Sequence, residues 1–159
     1  MKKILLILLF ISYGKCFSQS CSSVNKKVDK FTGKVTYMSP VISPSHSATP
    51  SIVFLKDDST IFLSLSGVGS SLRVSKKGVY ILFDNGEKIN REDVTIDVKP
   101  NENSGWWTYS AIFKLSNKEI ELFKKYLLTD FRLYLFDESL NENLSKEVMF
   151  YANCISESK

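Results

Sequence analysis

Reactive side chains are few in this 159-residue chain, and their spacing excludes most site chemistries before any fold is considered. His46 is the single histidine, and the cysteines are Cys16, Cys21 and Cys154. A zinc site needs several nitrogen and sulfur ligands, more than one copy of the chain offers if Cys21 and Cys154 pair with each other. A catalytic triad would have to rest on His46, which sits in a Ser-rich passage punctuated by Pro40, Pro44 and Pro50 with no nucleophile elbow to select a serine. The pairs Asp57-Asp58 and Glu92-Asp93 offer two carboxylates of the kind glycoside hydrolysis uses. Both pairs fall at predicted turns, where carboxylates usually partner the backbone. Calcium has no EF-hand spacing to support it. Gly67 and Gly69 lack the third glycine or Gly-Lys pair of a phosphate-cradling loop, so a turn is expected there. These residues assign no catalytic group, no metal and no cofactor.

Aromatic and cationic side chains are the better lead. From Trp107 the apolar residues Trp107, Tyr109, Ala111, Phe113 and Leu115 alternate with polar ones, the period of a strand with one buried face. Trp106 shares its parity with Thr108 and Ser110, the less apolar face, while Arg132, Tyr134 and Phe136 share one face of the next predicted strand. If those faces align, Trp106, Arg132 and Tyr134 form a binding surface for a glycan or peptide, with Trp106 as anchor. The competing and preferred expectation is that a helix or loop covers this face and makes the aromatics a second core layer.

The elements that must position these residues follow from periodicity and caps. Ser116 to Glu119 matches a capping box, so a helix begins near Asn117 and presents Ile120, Phe123 and Tyr126 or Leu127 on one face. Phe131, Leu133 and Leu135 resume the strand period, and the connecting helix allows a parallel crossover between the two strands. Leu140, Leu144, Val148, Tyr151 or Ala152, and Ile155 mark a second amphipathic helix, starting from a Ser139–Glu142 capping box or later, at Asn143 or Ser145. Upstream, Ile52 to Leu55 and Ile61 to Leu65 flank a polar turn and predict a hairpin. Val79 to Phe83 before Asn85-Gly86 predicts another, with a type I′ turn. Val94, Ile96 and Val98 either continue the return strand or form a separate one. Phe31 to Met38 is read as a first strand, Cys21 to Asp29 as loosely held, and the proline-rich passage as a loop. The fold class expected is α+β: a largely antiparallel sheet of about six to eight strands with two helices in the C-terminal third.

Lys2 and Lys3 precede the apolar run Ile4 to Ile11, the pattern of a secretory leader over residues 1–18, too short to span a membrane. Small residues fit cleavage before Gln19, which is preferred, or before Cys21. Removing residues 1–18 takes away Lys2, Lys3 and Lys15 and no acid, leaving 18 basic against 17 acidic residues. A near-neutral mature chain gives no reason to expect nucleic acid or an anionic membrane as partner. Residues 19–159 have the size of one domain. Cys21 and Cys154 stand at its two ends, and an even pair in an exported chain predicts a bridge. Lipidation of Cys21, which would anchor the protein, is the lesser alternative because the preceding Ser-Gln-Ser lacks an aliphatic residue.

The leader, the Asp-Lys-Phe-Thr-Gly sequence at Asp29 to Gly33, and the progression from Leu115 to Leu135 resemble short exported bacterial proteins of uncharacterised activity. The resemblance covers about half the chain and implies neither a family nor site residues. The functional expectation is therefore an exported, noncatalytic binding or interaction module, periplasmic or secreted. A small secreted hydrolase is the alternative, and it would require two carboxylates, or His46 and a serine, converging in a concave pocket.

Overall fold

The computed structural model describes residues 20–44, 50–70, 77–101 and 105–159; residues 1–18, expected to be a leader, Gln19 and His46 lie outside them. In chain order the strands are β1 (Asn25–Val28), β2 (Val35–Met38), β3 (Ser51–Asp57), β4 (Thr60–Gly69), β5 (Lys77–Phe83), β6 (Lys88–Thr95), β7 (Asp97–Asn101), β8 (Trp106–Lys114), β9 (Leu128–Leu133) and β10 (Phe136–Ser139). Helix α1 (Asn117–Lys125) separates β8 from β9, and α2 (Glu142–Glu157) follows β10. The fold is α+β, as expected, with both helices in the C-terminal third. Its strands form two antiparallel sheets, ordered β1-β2-β3-β4-β8-β7 and β10-β9-β5-β6.

Two sheets replace the one expected because the chain changes layer where a local pattern cannot announce it. Between β6 and β7 the switch takes one residue, Ile96, whose side chain is buried. Bends of this kind let a continuous apolar alternation serve two sheets in turn. Between β8 and β9 the switch is α1. The parallel crossover therefore does not form: β8 is already flanked by β4 and β7, and β9 pairs with β5 and β10 in the other layer.

Local chemistry explains the helix starts. Ser116 accepts the Glu119 backbone N–H at 3.3 Å while the Glu119 carboxylate accepts the Ser116 N–H at 2.7 Å, the full capping box. Arg91 reinforces this corner, donating to the Lys114 carbonyl at 3.1 Å and to Glu119 at 3.3 Å. α2 starts two residues later than a Ser139 cap would place it: Asn141 accepts the Leu144 N–H at 3.0 Å. Ser139 instead ends β10, its hydroxyl donating to Asp130 at 2.6 Å. At the other end of α2, Lys56 donates to the Ser156 and Ser158 carbonyls at 3.3 and 2.6 Å, satisfying groups left over by the helix and opposing its dipole.

The core lies between the layers and is closed by the helices. Phe123 of α1 stands edge-on to Phe54 of β3 and Phe83 of β5, at 5.4 and 5.1 Å between ring centroids, so one helical side chain joins both sheets. Such pairs contribute about 0.5–1.5 kcal/mol each beyond area burial. Buried Ser145 of α2 donates to the Leu128 carbonyl at 2.6 Å, tying the second helix to β9.

Further departures concern strands hidden in polar sequence. Asn25–Val28 forms β1, and Phe31 lies in the tip of the β1–β2 hairpin rather than in a strand. Gly67 and Gly69 belong to β4, not to a turn. A Cβ on Gly69 would lie 2.5 Å from the Phe136 ring, and one on Gly67 2.8 Å from Glu138 Oε1, so these glycines let β10 lie close on β4. The Asn85-Gly86 hairpin forms, but only Gly86 has positive φ (+84°). Its N–H donates to the Phe83 carbonyl at 2.9 Å, and Phe83 N–H to the Glu87 carbonyl at 3.0 Å. A type I turn followed by a left-handed glycine fits these bonds, not the expected type I′. Leu135 does not continue β9: Tyr134 and Leu135 make a tight turn into β10.

Cys21 and Cys154 are bridged, with Cα atoms 5.5 Å apart across 133 residues of sequence. The bond fastens α2 to the turn before β1, and its Cys21 sulfur is no longer available for a lipid.

Candidate functional site on the four-stranded sheet

Pleating sends alternate residues of a strand to opposite faces. In the four-stranded sheet, Val79, Ile81 and Phe83 of β5 and Phe131 and Leu133 of β9 point into the core, which turns Tyr80 and Arg132 outward. Register then aligns Asn90, Tyr80, Arg132 and Asp137 in one row across β6, β5, β9 and β10. Lys88, Leu82, Asp130 and Ser139 form the row beside it.

Backbone geometry organises the end of this face. Gly78 has φ +103°, a conformation suited to glycine, and sits where the β5–β6 register shifts. A Cβ there would lie 3.1 Å from the Tyr80 ring, so the absent side chain makes room for the ring to lean along the strand. The Gly78 carbonyl accepts the Tyr134 N–H at 2.9 Å. Tyr134 has φ +60°, which costs a non-glycine residue about 1 kcal/mol or more. Its side chain is half-buried against the edge of the core.

Electrostatics fix Arg132. Its Nη2 donates to Asp137 Oδ2 at 2.8 Å, and its Nε donates to Oδ1 of the same carboxylate. That hydrogen-bonded pairing holds the guanidinium proton more tightly than usual and keeps the Asp137 carboxyl below the ordinary carboxylate range. Both side chains remain more than half exposed, so the pair adds little to stability and mainly sets the orientation of the guanidinium plane.

Glu138, the next residue, faces the other way. Its Oε1 accepts the Val68 N–H at 3.2 Å above Gly67. Burial pushes its carboxyl above the usual range, with the Val68 N–H pulling in the opposite direction.

Two of the three residues singled out by sequence, Arg132 and Tyr134, thus share one end of the four-stranded sheet. Trp106 does not join them. Its neighbour Trp107 pairs with Gly69, whose inner side is filled by Phe136, so Trp107 points inward and Trp106 outward from the six-stranded sheet. Trp106 is 49% exposed, on the opposite layer from Arg132, and among the described residues no helix makes the three a common core layer. Tyr80 is concealed in the sequence because it lies inside the apolar stretch Val79 to Phe83. The available signal was Gly78 two residues before an aromatic within a strand.

The carboxylate pairs do not converge. Asp57 ends β3 and Asp58 occupies its turn, both facing Lys34 at 3.4 and 3.6 Å. Glu92 and Asp93 lie exposed within β6 rather than in a turn. Among the described residues, an open groove of about 530 Å³ between the Cys21–Ser23 turn and α2 has Glu147 as its one acidic side chain, and another of about 440 Å³ beneath the β1–β2 hairpin has Asp58. Among the described residues no group of three or more His, Cys, Asp or Glu side chains is placed to hold a metal. What the outer face offers chemically is a ring, a fixed guanidinium, hydroxyls and an amide, a set for stacking and hydrogen bonding. No protein-family model, curated protein or solved structure matches the chain.

Proposed function

We propose that this is an exported, noncatalytic binding module, a single domain over residues 19–159, whose contact surface for a glycan or an extended peptide is the outer face around Tyr80, Arg132 and Tyr134. The observation that carries the reading is the Asn90–Tyr80–Arg132–Asp137 row, a solvent-facing line of stacking and hydrogen-bonding groups held in place by Gly78 and by the Arg132–Asp137 pair. An aromatic ring beside a fixed guanidinium and an amide suits a sugar's alternating apolar face and hydroxyls, or a peptide's side chains and carbonyls. Export is supported by the leader pattern and by the Cys21–Cys154 bridge, since disulfides persist in oxidising compartments. One continuous core shared by both sheets and both helices supports the single domain.

Glycan and peptide arrays probed with the bridged protein test the reading. Tyr80→Ala and Arg132→Ala are each expected to weaken binding by about tenfold, the loss of one stacking or charge-assisted contact. Trp106→Ala, on the other layer, is expected to bind as the wild type does. Wild-type binding by folded Tyr80→Ala and Arg132→Ala proteins would refute the assignment, and loss with Trp106→Ala alone would move the site to the six-stranded sheet.

A further inference from the structure

The β1–β2 hairpin ends in a tip that neither the core nor the sheet-face site uses. Phe31 is 86% exposed there and Val28 56%. Four lysines, Lys26, Lys27, Lys30 and Lys34, fall within nine residues around them, against one acid, Asp29. Asp29 serves the turn: its Oδ1 accepts the N–H groups of Phe31 and Thr32 at 2.8 Å each. Backbone bonds from Asp29 N–H to the Lys34 carbonyl and from Gly33 N–H to the Asp29 carbonyl, both 2.8 Å, close the same loop. The tip is thus a built turn that holds an aromatic ring out in solvent. Lys34 is neutralised by Asp57 and Asp58, while Lys30 lies 5.0 Å from the Phe31 ring and Lys26 5.3 Å from the Tyr37 ring. Lys26 also donates to the Lys159 carbonyl oxygen at 3.4 Å, so the lysines that flank the exposed Val28 and Phe31 are Lys27 and Lys30.

We propose that this hairpin tip docks the protein on an anionic lipid surface, with Phe31 entering the headgroup region and Lys27 and Lys30 meeting lipid phosphates. Charge complementarity favours an anionic partner despite the near-neutral composition of the mature chain, because Lys27 and Lys30 flank Phe31 while the Asp29 carboxylate is turned into the loop and Asp57 and Asp58 face Lys34. Lysines on the edge strand β1 also discourage pairing with another sheet. That role leaves the projecting Phe31 unexplained. An aromatic ring flanked by lysines is what a bilayer interface accommodates: the ring sits at headgroup depth while the ammonium groups reach water and phosphate. A soluble polyanion would engage the lysines without requiring the ring.

The test is flotation of the bridged protein with phosphatidylcholine vesicles, with and without one-third phosphatidylglycerol, at low and moderate salt. Binding should require the anionic lipid and weaken as salt rises. Lys27→Gln with Lys30→Gln should lower partitioning by about 25-fold, roughly fivefold per lysine. Phe31→Ala should lower it by about tenfold. All three side chains are exposed, so unchanged thermal unfolding will show that these variants fold. Absence of binding to anionic vesicles would overturn the proposal, as would equal binding to neutral ones or undiminished binding by Phe31→Ala. Lysine-dependent binding to soluble dextran sulfate that ignores Phe31, without vesicle binding, would assign the hairpin to a polyanion instead.

Discussion

Replacing Cys21 by Ser and Cys154 by Ala removes the bridge with little local damage, since Cys21 is exposed and alanine leaves no unpaired hydroxyl at the buried Cys154. The closed loop spans 133 residues. In the chain-entropy treatment, opening a loop of that length restores about 5 kcal/mol of freedom to the unfolded state. The expected loss in denaturant unfolding is about 3–5 kcal/mol, a large share of the roughly 5–15 kcal/mol typical of a domain. Because the effect acts on the unfolded chain, two accompanying results are expected. The unbridged chain unfolds to a more expanded state and should show a steeper dependence on denaturant. Amide protection in α2 should fall in step with global stability rather than selectively, because the folded packing of α2 against α1, β3 and β9 is unchanged. Reduction of the wild-type protein should reproduce the variant. A loss below about 1 kcal/mol with an unaltered denaturant slope would refute the loop-closure reasoning. Selective exchange in α2 at unchanged global stability would show that the bond acts only as a local clamp.

Two further perturbations probe the contact between β10 and β4. Gly69→Ala places a methyl group 2.5 Å from the Phe136 ring and should destabilise by about 1–3 kcal/mol, measured by thermal or urea unfolding. Phe136→Leu in the same chain should recover part of that loss, and strictly additive effects would contradict the proposed contact. Glu138→Gln keeps an oxygen for the Val68 N–H but removes a carboxyl whose folded pKa is raised by burial. Such a group adds stability below its unfolded pKa, near 4.5, and loses it as pH rises through the folded value. The variant's stability relative to wild type should therefore increase as pH rises through that window. A difference independent of pH would refute the burial account.

Much of the fold is determined by interactions a few residues long, and these were readable without a structure. The Ser116–Glu119 box starts a helix wherever it is placed because its four groups are within one turn of each other. The Asn85-Gly86 turn and the alternation of Val79, Ile81 and Phe83 likewise specify a hairpin with one apolar face. With Cys16 inside the stretch expected to be a leader, Cys21 and Cys154 had only one another to pair with, so their bond needed no fold to be anticipated. Tertiary structure decided which strands lie side by side. The β4–β8 and β5–β9 pairings join distant segments, and a period of two records which residues of one strand share a face without recording which strand comes next to it. Trp106 and Arg132 illustrate the consequence. Each stands on the outward side of its strand, yet α1 carries the chain from one layer to the other between them, and outward then means opposite sides of the molecule. Tyr80 came beside Arg132 through the same long-range pairing, and Gly67 and Gly69 read as a turn until β10 was laid against them. A glycine's missing side chain makes room for another segment of the chain, and only the packed layers determine which segment fills it.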